Sequence, residues 1–252
     1  MHNTVYDIIA AYRQATLHIL TVISHMHNLT AILLLAPTLA FSQGNFDNYS
    51  ITDDSDTTFY FQFMEDVMTT FELTSIMDKQ DDFVFRSWGP SSLLEITRTE
   101  DNIEGTVSYF VMESGKKKRV FVRSYQLPPL TSAKLYDYVI TSEAYQLPSS
   151  NFIDNWANGF DGITFIYETK DKNAISFKYY WTPSAQEGIL EAEIITQFNE
   201  ELEELGDFDQ YAKAFDEENP FSSYMYYGTS YSIIKLEERG KAKKKKTRDN
   251  KR

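Results

Sequence analysis

Apolar and polar residues alternate with a period of two across residues 160–183, FDGITFIYETKDKNAISFKYYWTP. One face of the first run holds Ile163, Phe165 and Tyr167, and one face of the second run holds Ile175, Phe177, Tyr179 and Trp181. Alternation in aromatic and β-branched residues is typical of half-buried antiparallel strands. The polar stretch 169–173 has the composition of a turn. We therefore predict a β-hairpin that stops at Pro183.

The same period of two runs through residues 82–125 and predicts a β-meander. Its strands are expected at 83–88, 92–98, 103–112 and 119–125, and a last hairpin is expected at 221–227 and 230–236. Apolar residues spaced three and four positions apart predict helices over 58–73, 132–142, 183–206 and 208–215. Thr131 is the expected cap of the second helix, and Ser184 with Glu187 resembles a capping box for the third. The predicted fold class is α+β, an antiparallel sheet (β-meander plus hairpins) packed against a few helices.

The segment that begins at Met26 and ends at Ser42 has the features of a secretory signal. It contains the apolar run 29–40, and Ala40 and Ser42 place small residues at the −3 and −1 positions of a cleavage site before Gln43. We predict a secreted or periplasmic protein. The alternatives are an uncleaved N-terminal membrane anchor, and a start at either Met1 or Met26. Residues 43–56 are expected to form an irregular lead-in, 57–238 a single α+β domain, and 239–252 a disordered basic tail.

The residue types present limit the possible chemistry. The chain of 252 residues has no cysteine, and its histidines, at positions 2, 18, 25 and 27, all precede the predicted cleavage site. The predicted mature chain therefore lacks cysteine and histidine nucleophiles, Ser-His-Asp triads and zinc sites built on thiolate or imidazole. No phosphate-binding glycine loop is present either. The sequence predicts no metal site and no cofactor.

Charge is divided unevenly along the chain. The net charge is −13, but residues 239–252 carry nine basic residues and one acid, a net of +8, so the remainder carries −21. Such an acidic body is not expected to bind nucleic acid through its folded surface. Residues 184–206 hold seven glutamates and no lysine or arginine. We expect the tail from Lys241 to Arg252 to dock loosely on this acidic helix, to bind anionic polymers of the envelope, or to stay solvated.

The candidate catalytic residues are Asp161 and Glu168, since carboxylates can hydrolyse glycosides without histidine. Asp161 precedes Gly162, a pair more typical of a turn. Glu168 shares a strand face with Ile166, so it becomes a candidate acid only if that face is buried. The candidate ligand-binding residues are Trp88, Trp156, Tyr180 and Tyr226. Aromatic residues at alternate strand positions more often pack in the core, and we expect Trp181 to be a buried wedge against the helix after Pro183.

Three short motifs resemble a pattern that recurs in uncharacterised secreted bacterial proteins. They are Asp161-Gly162-x-Thr164-Phe165-x-x-Glu168, Tyr180-Trp181-Thr182-Pro183 before an acidic helix, and Arg86-x-Trp88-Gly89-Pro90. The resemblance covers residues 83–205 and implies a secreted protein with one such domain. The leading hypothesis is an exported, non-enzymatic domain that binds a partner or small ligand at the cell envelope. The alternatives are a glycosidase-like, carboxylate-dependent hydrolase and an anchored structural protein.

Overall fold

The computed structural model describes residues 49–57, 59–159, 162–227 and 232–235. The four α-helices in these ranges are α1 (Phe59–Phe71), α2 (Pro129–Thr141), α3 (Leu190–Gly206) and α4 (Asp209–Glu218). The strands are β1 (Ser50–Ile51), β2 (Phe83–Gly89), β3 (Ser92–Arg98), β4 (Ile103–Glu113), β5 (Val120–Gln126), β6 (Thr164–Asp171), β7 (Ala174–Trp181), β8 (Ser223–Met225) and β9 (Ile233–Ile234).

The nine strands form one sheet in the order β1-β7-β6-β2-β3-β4-β8-β9, and β5 also pairs with β4. All the pairs are antiparallel except that of β1 with β7, which is parallel. The predicted α+β class with a meander and hairpins is confirmed. The four meander strands lie within one residue of their predicted limits.

Helices cover both faces of the sheet. Helix α1 packs on one face, where its Met64, Val67, Met68 and Phe71 contact Trp88, Leu93, Phe110, Ile166 and Tyr179. Helices α2 and α3 pack on the other face, around Phe85, Ile96, Leu135, Tyr180 and Phe198. Successive strand residues point to opposite faces, so Phe85 faces α3 while Arg86 faces α1. Both faces of the central strands β2 and β6 are consequently buried.

The β6–β7 hairpin forms as predicted, with a shorter turn. Asp171 pairs with Ala174, so only Lys172 and Asn173 lie between the strands, whereas the sequence predicted a turn over 169–173. Lys172 has a φ of 53°. A residue in the left-handed region allows a two-residue connection whose twist matches that of the strands. The strands therefore extend further than the polar composition of this stretch suggested.

The helix after Pro183 begins later than predicted. Residues 183–185 form one 3₁₀ turn, and Gly188 then adopts a φ of 73°, which interrupts the helical path. Helix α3 starts only at Leu190, and its N-cap residue Ile189 makes no side-chain capping bond. The predicted capping box of Ser184 and Glu187 is therefore wrong.

Smaller differences occur elsewhere. Helix α2 starts at Pro129, so Thr131 lies inside the helix and does not cap it. The lead-in contains strand β1, and the amide of Asp56 donates to the carbonyl of Phe177 at 2.8 Å. Within the described part of the predicted last hairpin, β8 and β9 pair antiparallel. The predicted signal segment 26–42 and the basic tail 239–252 lie outside the described residues.

Candidate functional site

Glu168 lies in the middle of β6, on the face that α1 covers, and its side chain is 1 % exposed. It stands opposite Arg86 of β2, which in turn stands opposite Glu95 of β3. Arg86 Nη2 is 2.7 Å from Glu95 Oε2, and Arg86 Nη1 is 3.4 Å from Glu168 Oε2. One buried arginine thus joins two carboxylates in a row across three strands.

Further contacts complete this arrangement, which we call the core ionic cluster (Lys79, Arg86, Glu95 and Glu168). Lys79 Nζ lies 2.7 Å from Glu95 Oε1, and Trp88 Nε1 donates to Glu168 Oε2 at 3.0 Å. Burial raises the pKa of Glu95, but the charges of Arg86 and Lys79 outweigh it, so this pKa lies below its ordinary value. The cluster is a compensated feature of the core and not an open acid site.

The space beside Glu168 is too small for a sugar. Its Oε1 atom is buried without a hydrogen-bond partner. Glu168 lines a pocket of about 10 Å³ together with Asp56, Met64 and Phe177. That volume is about what one water molecule needs. Asp161 lies outside the described residues, so its pairing with Glu168 in catalysis stays a prediction.

The rings of Trp88, Trp156 and Tyr180 are inside the protein, with exposures of 3 %, 8 % and 0 %. Trp156 Nε1 donates to the carbonyl of Trp181 at 3.2 Å, and the ring centroids of Trp156 and Tyr180 are 5.7 Å apart. These rings contribute to packing and present no surface to a ligand here. Tyr226 is half-buried beside Tyr224, near the last strands of the sheet.

The position predicted for Trp181 is wrong. Its ring is half-buried and packs with the α1 cluster. The wedge against α3 is its neighbour Tyr180, which lies in the α2–α3 cluster. The reason is the alternation of a strand, which sends adjacent residues to opposite faces. The α3 helix covers the face of Tyr180.

A larger concavity, which we call the groove, lies between the β2–β3 turn and the helices α3 and α4. Its volume is about 250 Å³. Its apolar lining includes Leu94, Val107, Phe165, Leu202 and Phe208, and its polar lining includes Ser87, Ser92, Tyr109, Asn199, Glu203 and Asp209. An apolar floor with a few polar groups is the usual composition of a ligand site, although this volume is slightly below the common range.

The link between α3 and α4 shapes one wall of the groove. Asp207 adopts the left-handed conformation that ends α3, with a φ of 47°. Tyr109 donates its hydroxyl proton to the carbonyl of Phe208 at 3.1 Å, and burial raises the pKa of Tyr109. A β-carbon at position 206 would lie 2.1 Å from the Phe208 ring. The absence of a side chain at Gly206 therefore leaves the space that this ring occupies. These contacts fix Phe208 between the core and the groove.

In the part of the chain that the structure describes, the charged side chains that line the groove are both acidic, Glu203 and Asp209. Glu203 is exposed as a whole, yet partial burial of its carboxyl raises its pKa, and the like charge of Asp209 raises it further. Glu203 also lies in the last turn of α3, at the negative end of the helix dipole. The groove therefore carries negative charge that partial burial, the neighbouring acid and the helix dipole all make unfavourable.

One feature of the groove can be read from the sequence, and the others cannot. Acidic residues at the C-terminal end of a helix are unfavourable. Glu203 and Glu204 lie in the last turn of α3, and this helix contains no lysine or arginine. The other lining residues come from β2–β4, β6, α3, the α3–α4 link and α4, and no local pattern connects these segments. Of the residues nominated from sequence, Trp88 adjoins the groove, but its ring belongs to the opposite face.

No family model, curated protein or solved structure matches this chain. The resemblance to secreted bacterial proteins therefore stays a prediction. Within the described ranges, no three carboxylate, histidine or cysteine side chains are grouped so that they could hold a metal ion. Among the helices of those same ranges, none has the length and hydrophobicity of a membrane span.

Proposed function

We propose that this chain is an exported, non-enzymatic α+β domain that binds a small cationic ligand with an apolar portion in the groove. The observation that carries this proposal is the lining of the groove, an apolar floor bordered by Glu203 and Asp209, with no lysine or arginine among the described residues that line it. The predicted signal segment supports export to the cell envelope.

The chemistry of the ligand follows from the lining. Apolar side chains such as Phe165 and Leu202 favour an alkyl or aromatic body, because its burial removes apolar surface from water. A cation beside Glu203 and Asp209 would offset their mutual repulsion, which contributes to the raised pKa of Glu203. Primary amines carry both parts and can also donate hydrogen bonds to the polar rim.

A pair of matched compounds tests this proposal on the full-length chain. Phenethylamine and the neutral 2-phenylethanol have similar apolar bodies and differ in charge. A compound that binds the folded state raises the midpoint of thermal unfolding. We expect phenethylamine to raise the midpoint more than 2-phenylethanol does, and Glu203→Gln with Asp209→Asn to remove the difference. The control Glu193→Gln, at an exposed site in the first turn of α3, should retain it. Equal shifts for both compounds in the wild type would refute a cationic ligand.

A carboxylate-dependent hydrolase is the second candidate, and one observation favours it. Glu203, whose pKa is raised by partial burial, shares the groove with Asp209, and hydrolases of this kind need two carboxyl groups in one cleft. This candidate uses Glu203 and Asp209 as its acids, while the pairing of Asp161 with Glu168 stays a separate prediction. Chromogenic glycosides are the probe. Hydrolysis that Glu203→Gln abolishes and Glu193→Gln spares would establish this function, and its absence across a glycoside panel would favour the binding domain.

A further inference from the structure

The groove belongs to a strongly acidic region. Residues 187–218, which include α3 and α4, contain twelve acids and one lysine. Among the described residues, two of these acids form ion pairs, Glu218 with Arg123 at 2.8 Å and Asp216 with Lys235 at 3.7 Å. Much of this charge thus faces solvent on the two helices that border the groove, and a polycation would be attracted to it.

The chain itself passes close to this region before its basic segment. Lys235 Nζ donates to the carbonyl of Asn219 at 2.8 Å and to that of Asp216, at the end of α4. Asp209, at the first residue of α4, lines the groove. Helix α4 has ten residues, and a rise of about 1.5 Å per residue puts its two ends about 15 Å apart.

The basic segment has the right length to reach the groove. Lys241 follows Lys235 by six residues, which span up to about 20 Å when extended at about 3.3 Å per residue. The lysines at 243–246 come directly afterwards. The densest positive charge of the chain is therefore tethered within reach of Glu203 and Asp209.

We propose that the basic segment 239–252 occupies the acidic rim of the groove and competes there with the ligand. This proposal rests on the proposed function of the groove, to which it adds an intramolecular competitor. The segment carries +8, and its few apolar residues suit contact with the rim better than with the apolar floor. Tethering gives it a local concentration on the order of millimolar, so weak ionic contacts suffice.

The test uses two full-length proteins, the wild type and a tail variant. The tail variant carries K241Q, K243Q, K244Q, K245Q and K246Q. The probe is a fluorescent synthetic peptide of residues 240–252, titrated at low ionic strength and followed by anisotropy. We expect the tail variant to bind the peptide about tenfold more tightly than the wild type, because its own segment no longer competes. Equal affinity in the two proteins would overturn the proposal.

Further variants in the tail-variant background locate the contact. Glu203→Gln with Asp209→Asn should weaken peptide binding, whereas the matched double variant Glu191→Gln with Glu193→Gln, at the other end of α3, should not. Equal losses in both would also overturn the proposal.

Phenethylamine binding to the tail variant separates the two proposals. If phenethylamine binds and the peptide does not, only the tail proposal fails, and if neither binds, the proposed function fails as well.

Discussion

Trp88 donates its indole proton to Glu168 across a 3.0 Å hydrogen bond in the core of the protein. The sequence nominated these two residues separately, one as a ligand-binding aromatic and the other as a catalytic acid. Their contact, together with the ion pair of Glu168 with Arg86, gives them a joint role in holding the sheet under α1. The binding site that we propose is therefore the groove on the other face.

The core ionic cluster predicts an order of stabilities. Arg86→Gln leaves two carboxylates in the core without their shared cation and should lower the free energy of unfolding by about 3–5 kcal/mol. Glu168→Gln should cost less, about 1–3 kcal/mol, because Glu95 still compensates Arg86. Urea denaturation measures both. Glu113→Gln, which removes an exposed partner of Arg119, is the control and should have little effect. A smaller loss for Arg86→Gln than for Glu168→Gln would contradict this account.

The cluster also predicts how stability depends on pH. The pKa of Glu95 in the folded protein is lower than its ordinary value of 4.5, because Arg86 and Lys79 outweigh the effect of burial. The ionised carboxylate therefore stabilises the fold above pH 4.5, and this contribution is lost as the pH falls through the lower, folded-state pKa. Urea denaturation should show a shallower decline for Glu95→Gln than for the wild type as the pH falls below 4.5. Parallel curves for the two proteins would count against the assignment.

The fold was largely predictable where one local pattern decides the structure. Alternation sets both the face and the limits of a strand, and β3 spans Ser92–Arg98 as its pattern indicated. The local pattern predicted the wrong limits of an element where the backbone adopts a positive φ angle. Lys172 and Gly188 adopt positive φ angles, which shortened the hairpin turn and delayed the start of α3.

The groove was not predictable in the same way. Its lining comes from segments far apart in the chain, for example Ser87 and Glu203, and tertiary packing alone brings them together. The pattern also showed that Tyr180 and Trp181 face opposite ways, but not which face α3 would cover. Placement of a helix over a sheet depends on the whole apolar surface and not on one motif.

The packing of Gly206 gives a third prediction. Gly206→Ala would place a β-carbon against the Phe208 ring, which is buried and lines the groove. We expect a loss of about 1–3 kcal/mol in the free energy of unfolding, as in other overpacked sites, and weaker binding of phenethylamine. Urea denaturation and a binding titration check the two effects. Unchanged stability and binding would show that Phe208 relaxes freely and does not form a fixed wall.

Export gives a fourth prediction. The apolar run 29–40 and the small residues Ala40 and Ser42 predict that the mature protein starts at Gln43. Mass spectrometry of the secreted or periplasmic protein identifies its N-terminus. Peptides from residues 5–40 in that fraction would instead indicate an uncleaved anchor.

Backbone NMR of the full-length chain during titration with phenethylamine tests the central claim, that the groove is the binding site, most directly. The account predicts that the largest chemical-shift changes occur at the amides of Asn199, Leu202, Glu203, Asp209 and Ala212, which line the groove. It also predicts that 2-phenylethanol causes smaller changes at these amides. Changes concentrated elsewhere, for example around the core ionic cluster, or no saturable change at all, would contradict it.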